Sequence, residues 1–122
     1  MPLAVNVRHV DEITIVDLAG RLASGKSLVI FREAIHELLK GKRKRFLINL
    51  QTVTYVDFKG AEELISGAET ARRRGGDLKI FKPNRRAVHL FRFITAFFAF
   101  IETFEKGDEE EAIASFHQPT AR

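Results

Sequence analysis

Cysteine is absent from the sequence. That absence excludes a disulfide framework, a thiolate nucleophile and any cysteine-ligated zinc or iron–sulfur site, and it suits a protein kept in a reducing cytoplasm. The four histidines, His9, His36, His89 and His117, are scattered without metal-ligand spacing, so no metal is expected. Long apolar runs are missing as well. The longest, Phe93 to Ile101, falls far below the ~20 residues a membrane helix needs, so no membrane insertion is expected. The segment from Met1 to Arg8 has no basic stretch followed by a long apolar one, and no secretory signal is expected. There is no glycine-rich phosphate loop of the Walker type, and no histidine stands beside an obvious nucleophile and carboxylate. The reading is therefore of a cytoplasmic protein that is not an enzyme and carries no cofactor.

What is present fits one compact domain. The 122 residues are 45% hydrophobic and 30% charged, too few for two ordinary domains but enough for a modest core. Twenty basic against sixteen acidic side chains give a formal charge of +4. The positive charge comes in bursts at Lys40 to Arg45, Arg72 to Arg74 and Arg85-Arg86, where helices end or new elements begin. Cations suit helix C-termini, and neither an aromatic ribonucleoprotein motif nor a helix-turn-helix accompanies them. Solvated loops and helix ends are expected there, and no nucleic acid.

Periodicity lays out the elements. Leu3 to Val10 and Ile13 to Leu18, divided by Asp11-Glu12, read as a hairpin. Leu28, Phe31, Ala34, Ile35, Leu38 and Leu39 recur at helical spacing from Ser27 to Lys40, with Gly41 as the stop. Phe46 to Leu50 reads as a buried strand followed by a loop from Gln51 to Asp57. Ala61, Leu64, Ile65, Ala68 and Ala71 form one face of a second helix that ends at Gly75-Gly76. Leu78 to Phe81 reads as a strand, Pro83-Asn84 opens a helix to about Ile94, and Phe100 to Phe104 reads as a last short strand. Asp108, with Glu111 three positions on, caps a final helix and gives the acidic run from Asp108 a structural reason. The order ββαβαβαβα predicts an α/β fold, a mixed and mostly parallel sheet with helices packed against it. It forms a single domain over residues 1–122, whose last few residues read as a flexible tail.

The run Ile48-Asn49-Leu50-Gln51-Thr52-Val53-Thr54-Tyr55-Val56-Asp57-Phe58-Lys59-Gly60 resembles the signature of the STAS domain, the anti-sigma factor antagonist family. Gly20-Arg21-Leu22 is similar to the family's second-strand exit, Arg73 to Leu78 to its helix-to-strand turn, and Thr95 to Phe104 then Glu109 to Ala112 to its C-terminal end. The resemblance implies a small cytoplasmic module that binds an anti-sigma factor with serine kinase activity and so releases a sigma factor.

The family's switch is the second serine of an aspartate-serine-serine-glycine motif at the start of the second helix. Here the motif reads Asp57-Phe58-Lys59-Gly60, so Lys59 replaces the phosphoacceptor with a side chain that has no hydroxyl and carries the opposite charge to phosphoserine. A lysine there is disfavoured by the helix dipole by a few tenths to ~1 kcal/mol, with Glu62 and Glu63 in reach to compensate. Asp57 is expected to cap the helix, and Phe58 is expected at an exposed junction as a partner anchor or folded into a local gap. These four residues and Ser24 are the candidate partner-binding positions. Ala23 stands where relatives often carry an aspartate. Ser24 and Ser27 lie where some stressosome-type relatives have a second acceptor, although an N-cap role is the simpler expectation for Ser24.

Phe91, Phe93, Phe97, Phe98, Phe100 and Phe104 exceed what one small core needs. Core packing is expected for Phe91, Phe100 and Phe104, and a surface patch about Phe98 and Ala99 is the candidate contact for a homodimer or a partner groove. Two other functions remain open: a STAS-like accessory subunit of a membrane transport complex, and a small enzyme or nucleotide-binding protein using Asp57 and Lys59 to hold a phosphate.

Overall fold

The structure, a computed structural model, describes residues 3–117. The expected C-terminal tail lies outside these residues. The element order is β1 (Ala4–Val10), β2 (Ile13–Leu22), α1 (Lys26–Lys40), β3 (Arg45–Val56), α2 (Phe58–Arg73), β4 (Asp77–Phe81), α3 (Arg85–Arg92), α4 (Phe97–Phe100), β5 (Thr103–Phe104) and α5 (Glu109–Ala114), closed by a 3₁₀ turn at Ser115–His117. The strands form one five-stranded sheet in chain order. β1 pairs antiparallel with β2, and every later pairing is parallel.

Alternation along the strands gives the sheet two buried faces. Val16, Leu18, Phe46, Ile48, Leu50, Leu78 and Ile80 point toward the main core, where they meet Phe31 and Ile35 of α1, Leu64 and Ala68 of α2, Phe91 of α3 and Phe97 of α4. Ile13, Ile15, Leu47 and Phe81 point the other way, and Ala112 of α5 covers them with Ile113 and Phe116. Both faces being covered explains why β3 and β4 open as nearly continuous apolar runs. On α2 the inward stripe is small, Gly60, Ala61, Gly67, Ala68 and Ala71 beside Leu64, and that lets its backbone lie close to the sheet.

Two elements differ from expectation. β3 does not stop at Leu50 but continues through the expected loop to Val56. Register shifts fall between Asp17 and Ala19 and between Gly20 and Arg21, each placing an extra β3 residue against β2. The buried positions therefore fall at every third residue, Leu50, Val53 and Val56, and strict alternation is lost. Asn49 holds the first irregularity: its Oδ1 accepts from the Gln51 amide at 3.0 Å. The expected strand over Phe100 to Phe104 is mostly something else. Ala96, with φ 65°, turns the chain into the one-turn helix α4, leaving only Thr103–Phe104 as strand. The reason is packing: the Phe97 ring stacks on Phe91 at 4.1 Å and drops into the main core.

Phe97 thus joins Phe91 as fully buried, while Phe98 is half-buried with its ring edge-on to both. The expected patch at Phe98 and Ala99 is not an open apolar surface; Ala99 alone of the pair is exposed.

Candidate functional site

β3 ends at Val56 and α2 begins at Phe58, so Asp57 is the hinge residue between strand and helix. Its backbone is extended, as an N-cap requires, and its Oδ1 accepts from the Gly60 amide at 2.8 Å. The second carboxylate oxygen reaches across to the loop between β2 and α1. There Oδ2 accepts from the Ser24 amide at 2.9 Å and from the Ser24 hydroxyl at 2.8 Å. Burial pushes the Asp57 carboxyl up, but the hydrogen bonds from Ser24 and Gly60 outweigh it and hold its pKa below the ordinary value. Asp57 therefore ties two loops together as a carboxylate.

Ser24 is accordingly not the cap of α1. That position falls to Gly25, at φ 103°, which makes no side-chain capping bond. The expectation fails because α1 begins at Lys26, which leaves Ser24 one residue ahead of the cap, with its amide and hydroxyl both donating to the Asp57 carboxylate.

Gly60 is fixed by contact. A Cβ built there would lie 2.1 Å from the Leu22 carbonyl oxygen, because the first turn of α2 presses against the exit of β2. The motif's glycine is thus what allows the two loops to meet. Phe58 and Lys59, the first and second residues of α2, face outward. Phe58 does not fold into a local gap; it stands 55% exposed. The expected compensation of Lys59 by Glu63 does not form, since Glu63 is held by Arg32 of α1 at 2.6 Å.

The structure therefore brings together all five candidate residues, Ser24, Asp57, Phe58, Lys59 and Gly60, at one end of the sheet. The cap pattern missed their neighbours: Tyr55, Arg86 and His89 of α3, and Phe93 at the C-cap of α3 line an open groove beside Phe58. A signal was there, since Arg86 belongs to a basic burst and Phe93 to the excess of phenylalanine. Asn84 fixes α3 at this place. Its Oδ1 caps the helix by accepting from Ala87, while its Nδ2 donates to the carbonyls of Val53 and Thr54 at 3.2 and 3.3 Å. Among the described residues no group of histidine and carboxylate side chains is arranged to hold a metal ion. Nor is any helix there long and apolar enough to cross a membrane.

A five-stranded mixed sheet whose third strand feeds a capped helix start, with the cap aspartate bonded to the second strand's exit loop, defines a distinct class of small α/β domain. The family model for the STAS domain matches residues 4–110, and the chain belongs to that family. Solved structures of similar fold include an anti-sigma factor antagonist from Mycobacterium paratuberculosis, at 16% identity and TM-score 0.76 over 95% of each chain. Another is the Bacillus cell fate determinant SpoIIAA in its phosphorylated form, at 18% identity and TM-score 0.71, covering 92% of this chain and 98% of that one. A third is the murine anion transporter Slc26a9, at 15% identity and TM-score 0.71, where 90% of this chain matches 18% of the transporter. No curated protein matches the sequence.

Proposed function

We propose that the protein is an anti-sigma factor antagonist that regulates transcription by binding an anti-sigma factor of the serine-kinase type, and that it is not switched off by phosphorylation at the usual position. Ser24, Asp57, Phe58, Lys59 and Gly60 form the contact. The observation that carries this reading is the pairing of an intact scaffold with an altered acceptor. Asp57 and Gly60 hold the junction as the family motif requires, while Lys59 stands exposed at the second position of α2. Phosphoryl transfer by a serine kinase needs a hydroxyl as the nucleophile, and the Lys59 side chain has none. The antagonist is then constitutively competent or is regulated elsewhere.

Affinity capture of the tagged protein from its native host, with mass spectrometry of its partners and of its own phosphorylation, tests this. Recovery of an anti-sigma-type kinase with position 59 unmodified is the expected result. Lys59→Ser is expected to become a substrate of that kinase and to lose the partner on phosphorylation. Recovery of transporter subunits in place of a kinase would establish the second reading, an accessory STAS subunit of a transport complex, which the likeness to the STAS-sized part of Slc26a9 supports less strongly.

A further inference from the structure

Among the described residues the exposed aromatic side chains are Tyr55 at 36%, Phe58 at 55% and Phe93 at 68%. All three line the one groove between the β3–α2 junction and α3, together with Val56 and Leu90. On α3 and its C-cap residue Phe93 the groove side is a single stripe, since Arg86, His89, Leu90 and Phe93 are spaced i, i+3, i+4 and i+7. The His89 ring stands edge-on to Phe93 at 5.1 Å, which props the phenylalanine outward.

Cations outnumber carboxylates around these rings, with Asp57 in the groove and Glu105 beside Arg85 as acidic neighbours. Lys59 lies in the first turn of α2 and Arg85 and Arg86 in that of α3, and neither turn holds an acidic residue. A helix N-terminus is where the macrodipole disfavours cations, so folding does not ask for them there. Among the described residues none of these three cations, nor Arg92, makes an ion pair. Asp57, the carboxylate at the groove, is already engaged by Ser24 and Gly60.

We infer that this face binds an amphipathic helix of a partner protein, with its apolar side laid along Phe58, Tyr55 and Phe93 and its flanking carboxylates paired with Lys59, Arg85 and Arg86. Apolar rings in a groove call for apolar cover, and unpaired cations on the rim call for carboxylates. A polyphosphate strand satisfies the cations but brings its charge against ionised Asp57 and leaves the apolar floor to water. The inference rests on the binding role of Phe58 given above and extends the contact across α3.

A labelled synthetic helix with leucine on one face and glutamate on the other is the probe, titrated by fluorescence anisotropy against the full chain. Controls are the same composition scrambled, a lysine-faced version and a single-stranded oligonucleotide. Phe93→Ser and Arg86→Glu change exposed side chains, and circular dichroism confirms that each variant is folded. The expected result is saturable binding that weakens about tenfold with either substitution or with scrambling, and weakens further as salt rises. Equal binding of the scrambled or lysine-faced peptide, tight binding of the oligonucleotide, self-association abolished by Phe93→Ser, or no binding at all overturns the inference. The two proposals fail separately. A kinase captured equally by wild type and Phe93→Ser defeats this inference alone, whereas capture of no kinase defeats the antagonist reading and leaves the peptide result standing.

Discussion

At Gly60 a methyl group has nowhere to go, since the obstacle is the Leu22 carbonyl oxygen and not a mobile side chain. Alanine would ordinarily gain about 1 kcal/mol over glycine inside a helix. Here the clash of backbone against backbone wins, and Gly60→Ala is expected to destabilise by about 2 kcal/mol, read as a lower urea midpoint at unchanged slope. Asp57→Ala removes the acceptor for three donors and is expected to cost about 1–2 kcal/mol by the same measurement. The cap itself was legible in the sequence, because an aspartate three residues before the amide it binds is a local pattern. Its second partner was not. Ser24 lies 33 residues away, and an offset of that length carries no periodic signal. Local reasoning assigned Ser24 to the helix it precedes, and likewise gave Glu63 to Lys59 when Arg32 of a neighbouring helix holds it.

Elements whose apolar residues keep one period were legible: α1, α2, β4 and the start of β3 stand where their spacing puts them. β3 beyond Leu50 was not, because two bulges change its burial from every second to every third residue, and a run of Thr, Gln and Tyr with that spacing resembles a loop. α5 was legible by its Asp108 cap, but what it covers was not. It closes the second sheet face over Lys79, whose side chain is 5% exposed and is held by Glu102 at 3.0 Å, by the Ser115 hydroxyl at 2.8 Å and over the Phe116 ring at 4.5 Å. A buried charge costs most when its partner is removed and least when it is itself replaced by an apolar side chain of similar length. Lys79→Met is therefore expected to stay within about 1 kcal/mol of wild type, whereas Glu102→Ala, which leaves the ammonium without its counter-charge, is expected to lose about 1–2 kcal/mol. Equal losses in the two variants, measured by urea unfolding, would show that the pair itself carries the stability.

Across the described residues the strand order places α1 to α4 on one face and α5 with its 3₁₀ turn on the other, so the second face depends on how that short segment is held. Arg8 of β1 holds it. Its guanidinium donates to Asp17 at 2.7 and 2.9 Å and to Glu109, in the first turn of α5, at 2.7 and 3.1 Å. Asn49 of β3 adds a bond to the same Asp17 at 2.8 Å, so three strands and the last helix meet at one carboxylate. Arg8 beside it holds the Asp17 carboxyl down, from an ordinary 3.8 to about 2. A carboxylate with a lowered folded-state pKa stabilises the native state at pH values above its unfolded pKa, and that contribution is lost as pH falls through the folded one. For Asp17 the window runs from 3.8 down to about 2, and the contribution at neutral pH is on the order of 2 kcal/mol. Asp57, also lowered, acts with the same sign. Unfolding free energy is thus expected to fall on acidification below pH 4, and Asp17→Asn is expected to be weaker at pH 7 yet to lose less between pH 4 and pH 2. Because Glu109 shares the same guanidinium, hydrogen exchange in α5 should quicken in that variant before exchange in α1 or α2 does. Urea titrations across that pH range, with exchange followed by residue, decide it: parallel acid limbs for wild type and Asp17→Asn would remove Asp17 from the account, and unchanged exchange in α5 would mean that the apolar face under Ala112 and Phe116 holds the helix without Arg8.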